Sequence, residues 1–594
     1  MSTDGQGESV TDRQPVDGAG SSTRSTRLRL PPSVTRFGLV YVLVAVWVIA
    51  LLALPSRPLP ETRAASRGPS GDEVAGPSFV PDATAGTLAP DATATTTGVA
   101  GGPGAAAGTA PGATGVTRGG VTCKPGVRQL PGDTYSLPCV PAFTGDNGGA
   151  TSKGVTPTTI RIVRRAFPDS ANSQAVDAVV AQAGGATHAT VRATREQLQR
   201  EFEKHYELYG RKVEWIDYES RFGNDTQEVQ GRGREGACLD AEVVANELRA
   251  FAVIGDRAAV SKPFADCAAQ RGVVVLNGAS YASEKFYRDR YPYAWAFITS
   301  CDRINYQVGE YVGKRLVGKP AKYAGDPELA KQVRKLGVYT PVGDGEDDSC
   351  SKIADVMAQR YGYGSQSTYR YVLDVSRFPD EAARGAIQLK RDGVTSVIMA
   401  CDPISMIFLS QSATSQGWHP EWIVIGIILT DTDNAARLYD QDQVDGHMFG
   451  MSYLGATDKL LGQNTEPGRM YRKITGQPIP AGTTGQFFEL THYYNLLQAA
   501  GPRLTPASLG AGAFTIPSNT GAPDSAAGYW SFRDGADGTP GAHDFTLVDD
   551  AREVYWRGDV RSAGDGKAGT YVATYGGRRF RNGEWPAEDP PVYP

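Results

Sequence analysis

The chain has 594 residues, of which 40% are hydrophobic and 9% aromatic, and a formal charge of −5. That length exceeds what one core supports and leaves room for about two to four domains. The near-neutral balance of 60 basic and 65 acidic residues provides no basic face for nucleic acid.

Residues 1–36 are polar and carry five arginines, Arg13, Arg24, Arg27, Arg29 and Arg36. Nothing in them builds a core, and they read as a disordered cytoplasmic tail. Residues 37–54, "FGLVYVLVAVWVIALLAL", carry no charge. At about 1.5 Å per residue, a helix of that length just crosses a bilayer core. The arginines in front put the N-terminus in the cytoplasm and the bulk of the chain outside. The run exceeds a signal-peptide core and no small-x-small site follows it, which favours an uncleaved single-pass membrane anchor over a removed signal peptide. Residues 55–120 are Ala, Gly, Thr and Pro without period, a disordered tether. A coil of about 60 residues reaches roughly 40–45 Å.

All seven cysteines follow this tether, where thiols tend to pair. In a preface at 121–157, Cys123 and Cys139 close a Gly- and Pro-rich loop and are expected to bond. Closing about 15 residues contributes about 3 kcal/mol in the chain-entropy model. Cys238 and Cys267 bracket one βα unit and form a second expected pair. Cys301, Cys350 and Cys401 leave an odd thiol. Cys350 with Cys401 is the expected bond, and three buried free thiols are the alternative.

From 158 to 594 short apolar runs alternate with helical patterns. Strands are expected at 159–167, 212–218, 251–255, 273–277 and 293–299, with helices such as "REQLQREFEKHYELYG" and "LDAEVVANELRA" between them. The rhythm restarts at 336–341, 369–374, 395–400, 422–427 and 447–453, after a junction helix "CDRINYQVGEYVGKRL". Such alternation means βαβ units. The expected fold class is α/β, two doubly wound parallel-sheet lobes behind the membrane helix and linker. In the common 2-1-3-4-5 order the first and third strands are neighbours, which brings Cys350 towards Cys401.

Ligands of open parallel sheets sit beyond the carboxyl ends of the strands. The candidates are therefore Phe167; Asp256, Arg257, Ala258 and Ala259; and Gly278, Ala279, Ser280 and Tyr281 in the first lobe. In the second they are Gly343, Asp344 and Glu346; Cys401 and Asp402; and Thr430, Asp431 and Asp433. Small residues with free N–H groups at helix starts favour an anion. The second lobe's carboxylates suit an ammonium or a hydroxyl. Together they fit a small polar or zwitterionic solute. Several residues also have a plainer reading. "GDGEDDSC" (343–350) lacks the last glycine of a dinucleotide loop, and its acids complement a helix dipole. Tyr281, Phe286 and Tyr287 either cover the lobe edge or stack on a ligand. Arg164 and Arg165 read as a solvated rim, and "GGRRFRNGEW" as a basic surface hairpin. The insertion at 168–195 reads as a lid or a disordered loop.

The six histidines are scattered without metal spacing, and neither a GxSxG elbow nor a GxGxxG turn after a strand occurs. The chain reads as a binding protein rather than an enzyme, and no cofactor or metal is expected.

"GVTPTTIRIV", "ACLDAEVVANEL…FAVIGDRAAVSKP", "RGVVVLNGAS", "YAWAFITSCDRINYQVGEYV" and "DDAREVYWRGD" occur in this order. The set resembles the extracytoplasmic solute-binding proteins of the branched-chain amino-acid (Leu/Ile/Val-binding) type, from about 155 to the C-terminus. The resemblance implies a type I periplasmic-binding fold, a Venus-flytrap with three crossovers. Lobe 1 would hold about 158–300 plus part of 454–550, and lobe 2 about 301–453 plus a late segment, with "FFELTHYYNLLQAAG" (487–501) back on lobe 1. It implies substrate-carboxylate contacts at Ala258, Ala259, Ala279, Ser280 and Tyr281, and second-lobe contacts near Glu346, Asp402 and Thr430. It also implies an ABC-transporter permease of the same type as partner. The chain departs from the pattern after its first strand, where "RRAFPDSANSQ" replaces a Gly-Pro-Leu-Thr-Gly-like turn. The amino-group glutamate is missing from "GIILTDTDNAARL", with Asp431 or Asp433 as substitutes, and Cys267 lies about a dozen residues late. The expected function is capture of a small polar solute by lobe closure, for transport. A membrane-anchored sensor or interaction ectodomain using the same flytrap is the alternative.

Overall fold

The computed structural model describes residues 114–594, apart from 183–184, 257–259, 279–280, 343–351, 455–461 and 521–527. The tail, the apolar run 37–54 and the tether up to 113 lie outside the described residues. Among the described residues no helix is long and apolar enough to cross a membrane.

Order begins inside the expected tether. Strands β1 (Gly115–Val116) and β2 (Thr122–Cys123) pair antiparallel, and the turn is closed by Val121 N–H donating to Thr117 Oγ1. Cys123 is bonded to Cys139, their Cα atoms 5.7 Å apart. The preface is held on the first lobe by buried polar contacts. Gln129 Nε2 donates to the His205 carbonyl at 2.6 Å, and Asn495 Nδ2 to the Tyr135 carbonyl at 2.9 Å.

The first sheet runs β4-β3-β5-β6, all parallel. Its strands are β3 (Thr159–Ala166), β4 (Lys212–Glu219), β5 (Ala252–Gly255) and β6 (Val274–Asn277). β5 and β6 read as unbroken apolar runs because helices cover a parallel sheet on both faces. Helices begin where a hydroxyl can cap them: Thr187, Ser261, Ser283 and Ser300 each accept from the N–H three residues on. The helices Arg234–Glu242 and Lys262–Gln270 are joined by Cys238–Cys267. A π-helical turn at Val243–Glu247 follows the first of them, so "LDAEVVANELRA" is not one regular α-helix.

The expected fifth strand at 293–299 is not a strand. It makes isolated bridges to Val275 on one side and Thr546 on the other. Its hydrogen bonds alternate between β6 and the chain near 545, with Trp295 N–H donating to Val275 and Ala296 N–H to Phe545, so neither ladder grows. Arg164 and Arg165 are not a solvated rim. Both are buried, and Arg165 reaches Glu228 at 2.6 Å and Asp240 at 2.8 Å.

The second sheet contains β7 (Leu336–Pro341), β8 (Ser367–Tyr371), β9 (Ser396–Met399), β10 (Glu421–Val424) and β11 (Met448–Ser452) in the parallel order β8-β7-β9-β10-β11. This is the 2-1-3-4-5 arrangement. β12 (Ala551–Arg561) and β13 (Ala568–Ala573) extend it antiparallel, and β14 (Arg579–Phe580) pairs β12.

The chain passes between the lobes three times. After β6 it enters the helix Cys301–Arg315, which is bound to β12 by the buried Arg315–Glu553 pair at 2.8 Å. After β11 it returns through the helix Gly485–Ala499, whose His492 donates to the Leu276 carbonyl of β6 at 2.8 Å. Near 550 it re-enters the second sheet as β12. "GGRRFRNGEW" is not a surface hairpin. Phe580 and Trp585 are buried and stacked at 4.7 Å, with Trp585 edge-on to Tyr311. Cys401 is a buried free thiol, and the odd cysteine is therefore not Cys301, which is disulfide-bonded. The expected Cys350–Cys401 bond is not made; Cys350 itself lies outside the described residues.

Candidate interlobe site

Because the first sheet and the run β8-β7-β9-β10-β11 of the second are parallel, the loops after these strands gather at one edge of each lobe, where a ligand can be approached by backbone. Arg257, Ala258, Ala259, Ala279 and Ser280 lie outside the described residues, as do Gly343, Asp344 and Glu346.

Phe167 follows β3 and stacks on the Arg165 guanidinium at 4.5 Å. Asp256 ends β5 and is held by Arg195 at 2.7 Å, with Arg192 and His188 each at 3.6 Å. All three come from the helix His188–His205, so the insertion at 168–195 is largely helical, with Ala171–Gln182 before it. Phe286 and Tyr287 are buried in the lobe.

Tyr281 reaches across to the second lobe. The Ile428 backbone N–H, just past β10, donates to its phenol oxygen at 2.8 Å. Burial pushes the phenol's pKa up, and nearby Asp431 adds to it, so the hydroxyl stays protonated. The backbone is left-handed at both ends of this bond, with φ of 61° at Tyr281, 47° at Ile428 and 67° at Leu429. A β-branched residue seldom takes that conformation, and each such residue stores about 1–3 kcal/mol. Gly426 also has positive φ, and a Cβ there would lie 2.9 Å from the Tyr453 ring. A second bridge joins the lobes where Gln230 Nε2 donates to the Leu373 carbonyl at 2.7 Å.

The second-lobe carboxylates turn inward. Asp402 caps the helix Pro403–Ser415 through the N–H groups of Ile404 and Ser405, and Tyr371 donates to its other oxygen at 2.6 Å. Thr430 donates to the Ile427 carbonyl at 2.8 Å. Asp431 accepts from Ser452 at 2.7 Å, and burial holds its carboxyl above the usual range. Asp433 accepts from Thr570 and from Tyr571 N–H. Of the expected set, the structure brings Tyr281 to the loop that carries Thr430 and Asp431, and uses Asp402, Thr430 and Asp431 to brace their own lobe. Gln230, Leu373, Ile428 and Leu429 were not legible as cleft residues; their one signal is position just past an element's end. Among the described residues no His, Cys, Asp and Glu group is placed to hold a metal.

No family model matches the chain, and no curated protein does. Solved structures do. One is an ABC-transporter substrate-binding protein from Desulfitobacterium hafniense in complex with Leu, 16% identical, covering 70% of this chain and 100% of its own, with a TM-score of 0.44. A Leu-, Ile-, Val-, Thr- and Ala-binding protein from Brucella ovis, in a closed conformation, is 12% identical over 73% of this chain and 98% of its own, TM-score 0.48. A solute-binding protein from R. palustris in complex with 4-hydroxybenzoate is 12% identical over 72% and 98%, TM-score 0.48. Likenesses this distant decide nothing by themselves, and the fold stated above rests on strand order and register.

Proposed function

We propose that the chain is an extracytoplasmic solute-binding protein that encloses a small polar solute between its lobes and delivers it to an ABC-transporter permease. The observation that carries this reading is the Tyr281–Ile428 bond between two doubly wound lobes joined by three chain passages. Contacts of that kind exist only when the lobes meet, so a ligand that touches both shifts the population towards closure. The order of sequence landmarks and the likeness to solute-binding proteins support the same reading. The uncharged run at 37–54, the arginines before it and the paired cysteines after it support a single-pass membrane location with the C-terminal domain extracytoplasmic.

One observation favours a second reading. Asp402, Thr430 and Asp431 are satisfied within their own lobe, as suits a sensor or interaction ectodomain that closes without transporting anything. A thermal-shift screen of the full-length chain in a non-ionic detergent separates the two. The panel holds amino acids, amides, short peptides, sugars and aromatic acids. A ligand at 100 times its Kd stabilises by about 2.7 kcal/mol, and one responding chemical class is the expected result. A cooperative melt that ignores the whole panel would move the assignment to the sensor reading.

A further inference from the structure

Where the first passage between the lobes meets the third, two carboxyls depend on one cation. Arg303, in the first turn of the helix Cys301–Arg315, is 1% exposed. Its Nη2 donates to Asp544 and to the Asp534 carbonyl, and Asp549 lies 3.1 Å from the same nitrogen. Asp544 and Asp549, on the segment that leads into β12, are fully buried. Asp544 Oδ1 and both oxygens of Asp549 have no hydrogen-bond partner among the described residues. One guanidinium neutralises one carboxylate, so ionisation of both acids would bury an uncompensated negative charge.

The charged groups around the pair are mostly acids. Asp534 acts on both carboxyls from the loop before them, and Asp550, next in sequence, acts on Asp549 while paired with Arg579 at 2.8 Å. Glu284, on the helix Glu284–Arg288, faces Asp544 and has Arg288 as well as Arg303 acting on it. On β12, Arg552 acts on Asp431, and Glu553 is paired with Arg315 at 2.8 Å. The Tyr453 phenol, from the second passage, also faces Arg303, and burial keeps it protonated. Burial holds the carboxyls of Asp544 and Asp549 well above the usual range, against the pull of Arg303. Glu284 adds to the effect at Asp544, and Asp544 to that at Asp549.

We propose that Asp544 and Asp549 hold one proton between them at neutral pH and that this proton latches the hinge, its release driving the lobes apart. Acids that meet on one nitrogen titrate as a unit, the first proton leaving readily and the second only at much higher pH. Arg303 belongs to the first passage and the two acids to the third, so the charge freed on ionisation sits at the joint about which the lobes turn. Separating the passages admits water to that charge. The closed state thus binds the extra proton more tightly than the open one, and linkage fixes the sign: falling pH favours closure and rising pH favours opening.

The test combines the infrared band of protonated carboxyls with distances between spin labels on the two lobes, read from pH 6 to pH 10 on the full-length chain in a non-ionic detergent. Asp544→Asn and Asp549→Asn each remove one acid and keep its shape, and either variant alone is enough to decide. In the wild type the interlobe distances are expected to lengthen towards pH 10 as the band fades. In each variant the remaining acid pairs with Arg303 as a carboxylate, so the band at pH 6 should be weaker by one carboxyl and the distances independent of pH. A wild-type band no stronger than the variants' would show both acids ionised and overturn the proposal. Interlobe distances that lengthen equally in the variants, or that stay fixed in the wild type up to pH 10, overturn the latch. Neither readout uses a solute, so failure here leaves the solute-binding reading standing.

Discussion

The Tyr281 phenol makes a hydrogen bond that spans the cleft. Removing its phenol oxygen leaves the Ile428 N–H without its partner. A net hydrogen bond is worth about 1 kcal/mol, so Tyr281→Phe should shift the closed-to-open ratio about fivefold towards open. Small-angle scattering or a pair of spin labels on the two lobes reads this directly, and an unchanged interlobe distance distribution would show that the bond does not hold the lobes. Asp133 makes a prediction of another kind. Burial, with the nearby Glu466 charge adding to it, raises its pKa to about 7 from an ordinary 3.8, against the lowering effect of the hydrogen bond from Thr491. The folded chain therefore binds a proton that the unfolded chain has released between those values, so this group's contribution to stability falls as pH rises from about 4 to 7 and is level above it. Asp133→Asn removes the titration, and the difference in unfolding free energy between variant and wild type should change across pH 4.5 to 7.5 in the variant's favour. A difference that stays flat over that range would refute the assignment.

The elements show where pattern is enough and where it is not. All five parallel strands of the second lobe and four of the first are legible as apolar runs between amphipathic helices, because a sheet covered on both faces tolerates little else. The segment 293–299 carries the same pattern, and no periodicity distinguishes a strand from a stretch that lends alternate bonds to two partners. Each capping serine serves its own helix, whereas the burial of Arg165 was not legible, because its partners Glu228 and Asp240 lie 63 and 75 residues away. The site suffers most from this. "IILTDTD" displays two threonines and two aspartates, and only tertiary structure reveals that Ser452 and Thr570 use the aspartates and Tyr571 the Thr430 carbonyl. At Arg165, replacement by alanine leaves two buried carboxylates uncompensated, and the loss should be about 3–5 kcal/mol. Urea unfolding measures it; a loss below about 1 kcal/mol would mean that solvent or another cation takes its place.

For the whole molecule the decisive contacts lie where the chain changes lobe. Arg579, on β14, donates to the carbonyls of Tyr453 and Leu454 on the second passage and to Asp550 on the third, at 3.1, 2.8 and 2.8 Å. One guanidinium thus fixes two of the three passages to each other. Arg579→Ala should accelerate amide hydrogen exchange at Tyr453 and Ala551 at least several-fold while the cores of both sheets keep their protection; exchange unaltered at these amides would show that the passages are rigid without it.

The return of the helix Gly485–Ala499 to the first lobe, and of β12 to the second, has an outcome for dissection. Neither lobe is a continuous stretch of sequence, so no single cut releases one. A gene truncated after β11 encodes a first lobe stripped of the helix that carries His492 and a second lobe lacking β12, whereas two co-expressed pieces divided between β11 and that helix retain every strand of both sheets. Such a pair has the interlocking geometry needed to reassemble into the parent, and the lobes would be inherited, exchanged or lost only together.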